Sequence, residues 1–349
     1  MKATRGAAMG LAAAAVLALY TFGSPAQATK GGLDRAGLAA GEPGAGNAGC
    51  AEARPEVTSI SGWVSPGACS FIKRQIKFGK VTTPDRVDAY VDMWSKDATL
   101  WEPANASRPP VQGLDNIRTA ISGSLALVPD FRFRGTRIVV NGPAVMFEAH
   151  NEATLKGHQV AYSAVYRVLL TDDGKVIQGR RYYDRHSWFK PLDPSLPDLF
   201  ANVADGGSPD RGRQPVLSPD ELAERAKAWN NEDVEALVGR LIGAPLSAPG
   251  LNGGTLSTTQ GKLAYLRTFF DQVSNVQLLP GQAIKVDGAT YLEWHGTVLP
   301  EGQTDPVSFG VIERVGDTGG VSSDWTLTFD QLPLVANEAK ITELYGKLR

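Results

Sequence analysis

The chain is poor in the residues that build metal and nucleophile sites. Its 349 residues include two cysteines and four histidines, and 35 Lys and Arg stand against 37 Asp and Glu for a formal net charge of -2. Near balance without a basic stripe argues against a nucleic-acid partner. His150, His158, His186 and His295 form no H-E-x-x-H pair, and the cysteines form no Cys-x-x-Cys pair, so no metal site is expected. There is no G-x-S-x-G elbow and no phosphate-binding loop. The stretch "GAGNAG" (Gly44 to Gly49) has G-x-G-x-x-G spacing, but no strand precedes it and no helix follows. No cofactor is therefore expected. What is present suits a folded chain, with 42% hydrophobic and 21% charged residues. The length suffices for two domains.

The N-terminus reads as a targeting segment. Lys2 and Arg5 precede an apolar run from Ala7 to Phe22, and Ala26-Gln27-Ala28 supplies a small-x-small site. The run is about 16 residues, short of the roughly 20 that span a bilayer. Residues 1–28 are thus expected to be a secretory signal cleaved near Ala28, leaving a secreted or cell-envelope-side protein with no stable membrane anchor. Residues 29–65, rich in Gly, Ala and Pro, read as a flexible lead-in. In an exported chain Cys50 and Cys69 suit a disulfide that staples this leading segment; two idle thiols are the alternative. Asn105-Ala106-Ser107 is a glycosylation sequon, relevant only in a host that glycosylates.

Residues 194–215, dense in Pro, Gly and Asp, read as a linker between two similar halves. Each half opens with a helix, a polar break and a second helix. Val87, Tyr90, Val91 and Trp94 form the apolar stripe of the first, and Val234, Leu237, Val238 and Leu241 match them. A third helix follows at Gly113–Ile121 and at Gly261–Phe270. Strands come next, with "AVMFEAH" (Ala144 to His150) matching "ATYLEWH" (Ala289 to His295). Asp172-Asp173-Gly174 and Asp317-Thr318-Gly319 turn the last hairpin of each half. Helices followed by antiparallel strands make an α+β fold. The expectation is two tandem cone-shaped domains, 66–193 and 216–335, each a curved antiparallel sheet wrapped around helices, then a helical tail at 336–349.

"DMWSKDATLWEP", the helix at "GLDNIRTAI" and the ending "DGKVIQGRRYYD" resemble the SnoaL-like branch of the nuclear-transport-factor-2-like superfamily. The resemblance covers roughly residues 66–193, and more weakly 216–335. It implies a pocketed cone and a choice among polyketide-cyclase-like, ketosteroid-isomerase-like or epoxide-hydrolase-like chemistry and plain binding or association. By likeness to the epoxide-hydrolase relatives, Asp184, ending the last strand after two aromatics, takes the acid–base role. The acid that SnoaL-like cyclases carry before an aromatic-Arg pair is missing, since Ala164 and Val311 occupy the matching positions.

Read from the residues, alternation puts Arg180, Tyr182 and Asp184 on one face. If that face lines the pocket, Asp184 transfers a proton, Arg180 holds it ionised and Tyr182 orients the ligand. A strand-end aspartate that caps a turn is the competing reading, since Asp330 repeats it in the second half. Glu148 and His150 make a plausible base pair, repeated as Glu293 and His295. Their opposite face is the more apolar one, which would turn the pairs outward or to a domain contact and leave Asn151 nearest the pocket. Tyr162, Tyr166 and Trp94 are candidate walls for a small apolar or aromatic metabolite. Two outcomes remain open: cofactor-free acid–base turnover (epoxide hydrolysis, isomerisation or cyclisation), and binding or domain association without turnover.

Overall fold

A computed structural model describes residue 50 and residues 59–81, 84–105, 109–212, 214–218 and 221–348. The expected signal and most of the lead-in lie outside the described residues, as does part of the sequon. Two α+β units follow one another, each a curved sheet over helices.

In the first unit, Ser65 caps helix α1 (Pro66–Lys80). Its hydroxyl accepts from Ala68 N at 3.1 Å, Pro66 occupies the first turn, and Lys77 and Lys80 sit at the negative end of the dipole. Helix α2 (Arg86–Val91) ends sooner than the sequence stripe suggests. Trp94 opens strand β2 (Trp94–Trp101) instead of closing a helix. Short β3 (Val111–Gln112) and helix α3 (Leu114–Leu127) lead into four long strands: β4 (Arg132–Asn141), β5 (Ala144–Leu155), β6 (His158–Leu170) and β7 (Val176–Tyr183). Lys156 and Gly157, both at positive φ, close the β5–β6 hairpin, as a two-residue primed turn demands.

Strand β1 (Ser59–Trp63) corrects the lead-in boundary. It joins β4 in parallel, giving the order β1-β4-β5-β6-β7-β2-β3. The long strands are antiparallel as expected, whereas β1 and β2 enter in parallel at the margins. Cys50 and Cys69 are joined, tying residue 50 to α1 with Cα atoms 5.5 Å apart. Closing a loop of this length contributes about 3 kcal/mol by restricting the unfolded chain.

The second unit repeats the plan with helices α5 (Glu221–Asn230), α6 (Val234–Gly239) and α7 (Thr259–Phe270). Its sheet has the order β8-β12-β11-β10-β9, built from β8 (Leu246–Ser247), β9 (Val273–Val286), β10 (Ala289–Pro300), β11 (Val307–Thr318) and β12 (Val321–Thr328). Each unit ends in one short helix, α4 (His186–Phe189) or α8 (Leu332–Val335). Helix α9 (Glu338–Lys347) closes the described chain. The expected linker is not loose: Leu196 and Phe200 are buried, and Asp205 accepts from Ser257 N and Thr258 N ahead of α7. No helix among the described residues is long and apolar enough to cross a membrane.

Strand alternation gives each sheet two apolar faces. One lies over that unit's own helices. The other meets the second sheet across a small core of Val139, Met146, Val165, Tyr182, Tyr291 and Ile312. The polar contacts there pair up with approximate two-fold symmetry. Arg167 on β6 holds Glu293 on β10 at 2.9 Å, and Arg314 on β11 holds Glu148 on β5 at 3.3 Å. Asp184 Oδ1 accepts from Gln331 N at 3.0 Å, and Asp330 Oδ1 accepts from Arg185 N at 2.9 Å.

Candidate functional site

The inner face of the first sheet does not fill its cone. A cavity of about 170 Å³ remains between α1, α3 and the strands. Phe71, Phe78, Trp94, Phe133 and Phe147 form apolar walls, and Tyr90, Tyr162, Tyr166 and Tyr183 bring phenols to it. Tyr183 stacks on Trp188 with centroids 5.0 Å apart and an 11° angle, and Tyr162 leans on both.

One ion pair stands in this aromatic chamber. Arg181 Nη1 donates to Glu102 Oε2 at 2.9 Å, its Nη2 donates to Tyr90 Oη, and its guanidinium lies over the rings of Tyr90 and Tyr166. Tyr183 Oη donates to the same Glu102 oxygen at 3.4 Å. Burial works against the Arg181 charge, but Tyr90 and Glu102 beside it keep it protonated. Burial pushes the Tyr90 phenol up to about 12, and it pushes Tyr162, Tyr166 and Tyr183 upward as well. These hydroxyls therefore stay protonated near neutral pH, with Tyr90 and Tyr166 accepting from Arg181 and Asn151, and Tyr183 donating to Glu102.

Of the residues singled out from sequence, Trp94, Tyr162 and Tyr166 line the cavity. Asn151 is fully buried behind them, donating from Nδ2 to Tyr166 Oη at 2.9 Å. Asp184, Arg180 and Tyr182 do share a face, but their side chains turn to the domain contact. Arg180 reaches the cavity rim, yet its guanidinium goes to Glu293 at 3.2 Å, and Tyr182 Oη donates to Glu293 Oε1 at 2.5 Å.

Asp184 is not among the residues that line the cavity. Its Oδ1 accepts from His186 N and Gln331 N, both at 3.0 Å, and its Oδ2 accepts from Gln331 Nε2 at 2.5 Å. Burial and then the neighbouring Asp330 push it up to about 7, against those donors. The geometry is that of a turn cap shared between domains, which corrects the expectation of a pocket carboxylate. Glu148 is likewise outside, accepting from Tyr291 Oη at 2.5 Å. His150 is 45% exposed and 3.3 Å from Glu152. The pair is split because Glu148 lies under the second sheet, whereas His150 has reached solvent. Glu293 is sealed in the contact; burial would raise it, but Arg167, Arg180 and the Tyr182 hydroxyl hold it at about 2.

Sequence reasoning missed Glu102, Arg181, Tyr183, Trp188 and Tyr345. Shifting the assumed parity of β7 by one residue recovers Arg181 and Tyr183. The helical stripe Ile341, Leu344, Tyr345, Leu348 marks the tail as a packing element, although nothing in it says where it docks.

Residues 79–178 match the family described as the SnoaL-like domain. A comparison with curated proteins finds no match. Among solved structures, the chain is similar to an NTF2-like protein of unknown function from Burkholderia pseudomallei, at 10% identity and TM-score 0.32, covering 36% of this chain and 98% of that one. It is similar to an LEH-like epoxide hydrolase of M. tuberculosis at 20% identity and TM-score 0.30, covering 35% and 89%. A third is a Catenulispora acidiphila protein with a ketosteroid isomerase-like fold, in complex with trimethylamine, at 15% identity and TM-score 0.30, covering 35% and 89%. The first of the two units thus carries a match to the SnoaL-like domain over residues 79–178.

Proposed function

We propose that the first domain binds one small, ring-bearing, largely apolar molecule in its cavity, with the polar edge of that molecule set against Glu102 and Arg181. The carrying observation is an aromatic chamber whose ion pair, Glu102 with Arg181, is already satisfied within the protein. Aromatic walls favour a flat apolar ligand, and a few fixed donors orient it. Binding is preferred over turnover because Glu102 is neutralised by Arg181 and the phenols are poor acids. Acid–base turnover remains a second reading, favoured by the presence of the Glu102 carboxylate at the cavity. In that reading Glu102 is the base, and the reaction is an epoxide opening, isomerisation or cyclisation without a cofactor.

The two domains act as one packed body, the second bracing the first through the Glu293 and Asp330 contacts. The Cys50–Cys69 bond supports action in an oxidising compartment outside the cytoplasm.

A thermal-shift screen of mono- to tricyclic compounds tests the reading. A ligand at about 100 times its Kd stabilises by about 2.7 kcal/mol, a readily seen shift. Hits are expected among bicyclic compounds with one hydroxyl or carbonyl, and Glu102→Gln should weaken them. A flat screen contradicts the proposal. Product formation that Glu102→Gln abolishes with affinity intact would establish the enzymatic reading in its place.

A further inference from the structure

Helix α9 follows the second domain in the chain yet borders the cavity of the first. Tyr345 and Leu348 line that cavity, and Leu344 is buried beside Leu155, Val160 and Phe189. The Tyr345 ring meets Phe189 edge-on at 5.0 Å, and its hydroxyl accepts from Arg185 Nη1 at 3.3 Å. Arg185 also holds Asp330 at 2.7 Å, so the seat of Tyr345 is tied to the domain contact. Outside, Asp193 Oδ2 grips Lys340 Nζ at 2.7 Å and Lys347 Nζ at 2.9 Å. Both lysines are about one-third exposed, whereas Asp193 between them is buried, so the clamp is reached from solvent on its lysine side alone. At its other end α9 lines an open cleft of about 510 Å³ through Glu338 and Ile341, and Ala104 borders both spaces. One short helix, fixed by a few side chains and a polar clamp, thus lies between the cavity and the cleft. Elements with so few anchors open before the sheets they rest on.

We propose that α9 is a lid on the first domain's cavity and that Tyr345 sets the size of ligand the closed lid accepts. The inference rests on reading the cavity as a binding pocket. With the lid shut, the Tyr345 phenol limits the space to about two fused rings. Admission requires the Asp193 clamp to release and α9 to swing toward the cleft.

The experiment uses the full chain, with 2-naphthol and 9-phenanthrol as probes and stopped-flow tryptophan quenching as readout, since Trp94 and Trp188 line the cavity. Tyr345→Ala should shift the affinity ratio about tenfold toward 9-phenanthrol and speed association of both probes. Lys340→Glu with Lys347→Glu should speed association and dissociation of 2-naphthol while leaving the ratio unchanged. Tyr345→Phe keeps the ring and loses the Arg185 bond, so it should behave like the lysine pair even where the alanine variant folds poorly. A merely structural helix would lower Tm in these variants without moving the ratio or the rates, and that result overturns the lid. Failure of both probes to bind wild type and every variant overturns the pocket reading, and the lid falls with it.

Discussion

The two domains share a plan and differ in filling. Where the first has Tyr162, Tyr166, Gly179 and Tyr183, the matched positions of the second are Phe309, Glu313, Trp325 and Phe329. Gly179 leaves room for Trp94 to lie against the strand, whereas Trp325 is itself fully buried in the core. Glu313 is consumed by Arg225 at 2.5 and 3.0 Å and by Trp229 Nε1 at 3.1 Å. Trp229 packs in turn on Phe269 and Phe270. Among the described residues, the second cone is packed with these side chains, whereas the first keeps a hollow with its polar groups grouped around Glu102. Fold alone does not make a site; the choice of side chain at a handful of inward positions does.

Substitutions can break that contrast. Trp229→Ala should destabilise the protein by about 3–5 kcal/mol, the range for truncating a large core aromatic. Trp188→Ala, at the cavity, should cost much less and instead weaken probe binding; equal losses in denaturant melts would erase the distinction. At the domain contact, Glu293→Leu strands Arg167 and Arg180 and should cost about 3–5 kcal/mol. The symmetry-related Glu148→Gln, at a side chain 28% exposed, should cost about 1 kcal/mol or less. Gly310→Ala should also loosen the contact, since a Cβ there would lie 2.6 Å from Tyr182 Cε1.

Acid should act through His295, which burial and then Arg180 lower from 6.5 to about 3. The unfolded chain takes up that proton first, so stability falls as pH drops from about 6.5 towards 3. His295→Phe keeps a ring beside Trp101 and should flatten that part of the Tm-versus-pH curve. The smallest effect belongs to Asp184→Asn, which should lower Tm modestly and leave probe affinity unchanged.

The repeat was legible because helix stripes and the Asp-Gly and Thr-Gly turns are local signals. The facing of the last strand was not. "RRYY" places one arginine and one tyrosine on each face, so a one-residue change of parity yields the same composition. Both faces are also buried, one over the cavity and one against the second sheet, so no contrast between wet and dry sides breaks the tie. The facing of the Glu-x-His strand was left open by the sequence as well, although its two sides differ in polarity. Its apolar side, Leu292 and Trp294 in the second half, marks the interior, and the recurrence of Glu148 and Glu293 reflects a two-fold contact instead of a repeated catalytic pair. Glu102 gave no signal, because its meaning depends on Arg181, which lies 79 residues away along the chain.

The most direct measurement is a calorimetric titration of 2-naphthol into wild type and Val168→Phe, a change that places a ring in the first domain's cavity. One site per chain is expected in wild type and none in the variant, with the melting temperature of the variant held or raised. Binding that survives Val168→Phe, or a wild type that binds nothing, would contradict it.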